Sequence, residues 1–227
     1  MDHGSEEPLT GSTTQRLGGA CTIVGTLLFA AASVLHPPTF DPQAVGPAMR
    51  EIQGDPLWVP VHVALTAAAL LWGLGLLALH ERLVRTGRAG ASPFAAGALL
   101  IGTTLWILAF LTEAAGGPAL ARAYQAGAVS PAIANLVALC WDATLALGYG
   151  AAFLYGVALL LWGVDLRRAR FAPGWLAWLG ILAGGTTAVT QPLIWAFPKA
   201  AYLVLAAPSA GLVVWSVLVG WRLQRRI

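Results

Sequence analysis

Six side chains able to hold a proton or a metal ion recur at one depth along this chain. His36 lies 20 residues past Arg16, His62 18 before His80, Glu113 20 past Pro93, Asp142 22 before Val164, Gln191 18 past Pro173 and Tyr202 20 before Arg222. At 1.5 Å per helical residue these intervals measure ~27–33 Å, about the thickness of a bilayer's hydrocarbon. If the intervening segments are membrane-crossing helices, the six form one polar layer at one membrane face. Neutral imidazole is the commonest protein metal ligand, and His36 and His62 are two of only four histidines. With the carboxylates of Glu113 and Asp142 they make a mixed nitrogen and oxygen donor set that suits zinc or copper. Without the carboxylates, the two histidines are the axial pair that a b-type haem takes in a helical bundle.

A plainer account competes with this one. Helices must end somewhere, membrane interfaces are polar, and Trp58, Trp141 and Trp195 near the layer read as an aromatic belt. Position along each helix favours the site. Glu113 falls in the last turn of its span, where the helix dipole disfavours an anion, so a cation is expected beside it: a metal, His36 or Arg122. His62, in the first turns of a helix, is the better ligand, and His36, at a helix C-terminus, the better proton carrier. Pro37 offers His36 a simpler role, since the residue before proline often just ends a helix.

These residues need long apolar elements to hold them, and the composition supplies such elements. The chain has 227 residues, 58% hydrophobic and 10% charged, against about 25% charged in ordinary soluble domains. The uncharged stretches predict an all-α integral membrane protein, a bundle of six transmembrane helices near residues 17–36, 57–79, 93–113, 142–164, 173–195 and 199–221. Together they make one domain over 17–222, between a disordered tail at 1–16 and a basic tail at 223–227. Asp55-Pro56, Ser92-Pro93 and Ser130-Pro131 read as helix starts, Pro37-Pro38 and Gly116-Gly117 as stops. From Pro131 to Val164 the fourth helix overruns the hydrocarbon by about three turns. Pro192 and Pro208 are expected to kink the last two helices. The outer loop 37–56 and the stretch 118–127 are more than bare turns, the second reading as a connector lying on lipid or as a short interfacial helix.

Orientation follows from Lys and Arg. Ten of the thirteen fall on one side, among them Arg16, Arg82, Arg85, Arg167 and Arg168, against Arg50, Arg122 and Lys199 on the other. The ten-residue side, with both termini, is expected to be cytoplasmic, in a multi-pass plasma-membrane protein. The net charge of +3 is spread over helix ends, so it marks anchors in lipid and no nucleic-acid partner. Twelve of the thirteen basic residues being Arg is a bias of GC-rich bacterial genomes. Cys21 and Cys140 sit near opposite faces, too far apart for a disulfide.

Other polar and aromatic residues have packing readings. Thr186, Thr187 and Thr190 beside Gly184 and Gly185 mark a close helix approach. Gly148, Gly150 and Gly156 with Tyr149 and Tyr155 read the same way, or as a slot for a flat ligand. Trp72, Trp106, Trp162, Trp175, Trp178, Trp215 and Trp221 are expected to face lipid or the belt. Motifs of P-loop, HExxH, CxxC or GxSxG type are absent, which excludes those enzymes and leaves catalysis open. Three functions remain: a metal- or haem-binding redox or electron-transfer subunit, a proton-coupled small-solute transporter, and an accessory subunit that docks other membrane subunits or its own copies. The first places the site on His36, His62, Glu113 and Asp142.

Overall fold

In the computed structural model, residues 10–36, 45–88, 90–125, 131–170, 172–197 and 201–225 are described. They contain seven helices and no strand: α1 (Thr10–Leu35), α2 (Val45–Gly54), α3 (Trp58–Arg85), α4 (Ser92–Gln125), α5 (Pro131–Ala169), α6 (Gly174–Ala196) and α7 (Ala201–Gln224). Four are long and apolar enough to cross a membrane over Thr13–Leu35, Trp58–Arg85, Ser92–Tyr124 and Ala134–Ala169. The chain is therefore an all-helical membrane protein. The segment Thr10–Arg16, assigned by composition to the tail, already belongs to α1. His3, Pro37, Pro38, Asp41 and Lys199 lie outside the described residues, as do the side chains of Trp195, Tyr202 and Pro208.

The six long helices close a ring in the order α1, α3, α4, α5, α6, α7 and back to α1, each antiparallel to the next. Bare backbone makes the tight crossings. A Cβ on Gly25 would run into the Trp72 backbone, and one on Gly184 into the backbone of Gly156 and Leu160. Small residues let helices approach where lipid supplies no hydrophobic drive to pack. The starts of α1 and α4 and the ends of α3, α5 and α7 gather at one end, as Gln15 with Arg82, Gly19 with Gly220 and Ala91 with Asp165 show. We call it the Arg-rich end.

Four of the tryptophans expected to face lipid are instead core residues. Trp72, Trp106, Trp162 and Trp215 are buried, whereas Trp175, Trp178 and Trp221 are exposed. An indole N–H needs an acceptor when buried. Trp72 donates to Ser216 Oγ at 3.0 Å, Trp162 to Ser92 Oγ at 2.9 Å and Trp215 to the Leu176 carbonyl at 3.0 Å. Tyr155 is also buried, its hydroxyl 2.9 Å from Thr103 Oγ1 and its ring 4.2 Å from that of Trp106. Thr187 packs as its spacing predicts, hydroxyl bonded to the Ala183 carbonyl at 2.8 Å.

The far end is more elaborate than six helix ends. α4 does not stop at Gly116-Gly117 but runs through Pro118 to Gln125, and α5 starts at Pro131. With 34 and 39 residues these helices are ~51 and ~58 Å long, well beyond ~30 Å of hydrocarbon. Of the stretch read as a separate connector on lipid, the described residues 118–125 are the last turns of α4. The ten-residue helix α2 packs on this overhang through Ala48, Met49 and Ile52, against a cluster that includes Trp58, Trp141 and Tyr149. We call this assembly the cap.

Candidate metal centre

Three helices deliver three donor atoms to the base of the cap. His36 follows the last residue of α1, His62 is the fifth residue of α3, and Glu113 lies inside α4, twelve residues before its end. His62 Nε2 is 3.0 Å from His36 Nε2 and 2.5 Å from Glu113 Oε2, and His36 Nε2 is 3.8 Å from the same oxygen. The His62 side chain is fully buried, while those of His36 and Glu113 keep 9% and 13% exposure. The group therefore touches the surface along one edge.

The tautomer of His62 is set locally. Its Nδ1 lies 2.6 Å from the carbonyl of Trp58, one helical turn earlier. A carbonyl can only accept, so Nδ1–H donates to it, and the ring is turned so that Nε2 faces Glu113 and His36. Metal-bound histidines are held in this way, with the far ring nitrogen donating to a carbonyl or carboxylate. The dipole argument made for Glu113 does not apply, because α4 continues past it. Arg122, exposed nine residues further on, is not among its contacts; the two imidazoles are.

Trp58 frames the group. Its Nε1–H donates to the Glu113 carbonyl at 2.9 Å, and its ring lies 4.3 Å from that of His62 and 5.4 Å from that of His36. Gly117 makes room, since a Cβ there would sit 2.8 Å from Trp58 Nε1. Pro118, next along α4, has no N–H to return to the preceding turn. Read as belt, Trp58 was missed; the one signal was its place four residues before His62.

His36, His62 and Glu113 come together, their ligand atoms all within 4.8 Å of one another. No family model, no curated protein and no solved structure matches the chain. The site must speak for itself. Asp142, on α5, is exposed and outside the group, and Gln191 is buried on α6, its Oε1 without a hydrogen-bond partner among the described residues. Gly148 faces open space, and Gly156 packs on α6, so the described glycines of α5 do not form a continuous slot.

Proposed function

We propose that this is a six-span, multi-pass plasma-membrane protein, both termini cytoplasmic, that binds a transition-metal ion through His36, His62 and Glu113 at its outer face. The ten-to-three bias of Lys and Arg supports the orientation, and α6 and α7, 23 and 24 residues long, supply the fifth and sixth spans. The observation that carries the metal reading is the convergence of three donor atoms at separations of 2.5, 3.0 and 3.8 Å. Around a tetrahedral zinc or copper ion with bonds of ~2.0–2.1 Å, neighbouring ligands stand ~3.3 Å apart. Changes of up to about 0.8 Å in these separations, within side-chain rotation, bring the three to that spacing.

The same distances favour an ion over haem. Axial imidazoles place their nitrogens about 4 Å apart, with a porphyrin plane between them. Here they are 3.0 Å apart with a carboxylate oxygen beside both. A transporter gains little support, since Trp72, Trp106 and Tyr155 fill the middle of the bundle. Copper would suit a redox or electron-transfer subunit and redox-inert zinc would not, and elemental analysis of the purified protein separates the two.

Protein purified without chelator is expected to carry near-stoichiometric zinc or copper by elemental analysis. Absence of both overturns the metal reading and leaves an accessory subunit. Orientation is tested by a cysteine at Gly54, an open position, which is expected to label from outside intact cells, whereas one at Arg168 is not.

A further inference from the structure

We infer that Trp58 is the positioning residue of the centre: a closed circuit of hydrogen bonds through it sets the distance and angle between His62 and Glu113. The circuit has three links. His62 Nδ1–H donates to the Trp58 carbonyl at 2.6 Å, Trp58 Nε1–H donates to the Glu113 carbonyl at 2.9 Å, and Glu113 Oε2 meets His62 Nε2 at 2.5 Å. Two of the links run through backbone carbonyls: the first stays within α3 and fixes the His62 ring, and the second ties α3 to α4 at the height of the donor atoms.

Three observations separate this from ordinary core packing. The indole bond reaches the backbone of the very residue that supplies the carboxylate. Gly117, one turn beyond Glu113, keeps bare the face on which the indole nitrogen lies. The same ring stands against both imidazoles, and Trp58 belongs to the apolar cluster that holds Met49 and Ile52 of α2. Trp58 thus joins the cap to the donor set. Trp141 is the internal contrast: it is buried in the same cluster, but its indole nitrogen has no hydrogen-bond partner among the described residues.

This inference rests on the metal reading only for its metal-binding arm. The experiment compares Trp58→Phe, Gly117→Ala and Trp141→Phe with the wild-type chain in detergent. Two readouts are used: affinity and visible spectrum with Co(II), and ¹⁵N shifts of the His36 and His62 rings without metal. Partners that orient metal ligands typically contribute 10–100-fold in affinity. Trp58→Phe is expected to weaken Co(II) binding by about that factor, to change the ligand-field bands and to move the ring shifts. Gly117→Ala, which pushes on the indole, is expected to act in the same direction, and Trp141→Phe to leave affinity within about twofold.

If wild type binds no Co(II) yet the ring shifts move in Trp58→Phe and not in Trp141→Phe, the metal reading falls and the positioning role stands. If Trp58→Phe leaves affinity, bands and shifts unchanged, or matches Trp141→Phe in all three, the positioning role is overturned. Should Trp58→Phe fail to fold, Gly117→Ala decides by the same criteria.

Discussion

At the Arg-rich end, His80 Nδ1 lies 2.9 Å from Ser92 Oγ, which also accepts the Trp162 N–H, and the buried Asp165 accepts the Ala91 N–H at 3.0 Å. At the cap end, His62, His36 and Glu113 turn two nitrogens and an oxygen toward one another. Both regions hold histidine beside a polar or acidic partner at the end of the bundle, and both are largely buried. They differ in how the polar atoms are arranged. Near Ser92 one hydroxyl joins the His80 ring and the Trp162 indole, and the Asp165 carboxylate serves the entry of α4 much as a capping side chain would. Near His62 the Nδ1 proton points away, to Trp58, and the two Nε2 atoms and a carboxylate oxygen, brought by three helices, face one another. Buried polar groups paired one to one hold helices together; potential ligand atoms that converge from several helices can hold a cation.

The largest expected effect separates the two ends by metal content. His62→Ala is expected to abolish stoichiometric zinc or copper while the spans still insert, because insertion depends on apolar length. His80→Ala is expected to leave the metal in place and cost about 0.5–1.5 kcal/mol, the usual worth of one hydrogen bond. Elemental analysis of both variants checks this, and retention of metal in His62→Ala breaks the comparison.

A smaller effect sharpens it from the other side. Asp165→Ala leaves the Ala91 N–H without the carboxylate that accepts it, which is expected to cost about 1–3 kcal/mol in unfolding equilibrium. Metal stoichiometry is expected to stay at the wild-type value. Loss of metal in this variant would mean that the two ends are coupled and cannot be read as separate devices.

The smallest effects concern charged residues at the cap end that stand apart from the group. Arg122→Ala and Asp142→Ala, both at exposed positions, are expected to change stability by less than about 0.5 kcal/mol and metal content not at all. A drop in metal for Asp142→Ala would enlarge the donor set to the four residues expected from sequence.

Depth along the membrane was legible in the sequence. A helix rises by a fixed 1.5 Å per residue, so counting from anchors placed His36, His62 and Glu113 at a common level before any packing was known. The membrane class was legible too, from the length and low charge of the apolar stretches. Rotation about each helix axis was not. A helix apolar all round carries no stripe to say which side faces in, and so Trp72, Trp162 and Trp215 read as lipid-facing until Ser216, Ser92 and the Leu176 carbonyl met them. The same ambiguity hid that Glu113 turns toward the histidines while Asp142 is exposed. Local signals also lost to contacts. Gly116-Gly117-Pro118 reads as a helix stop, yet α4 passes through it where the Trp58 indole packs on Gly117 and α2 on the overhang, because tertiary packing outweighs propensities of about 1 kcal/mol per glycine. Sequence alone determined which residues share a level; only the tertiary structure decided which of them meet, since meeting requires the angular setting of three helices whose apolar surfaces are indifferent to it.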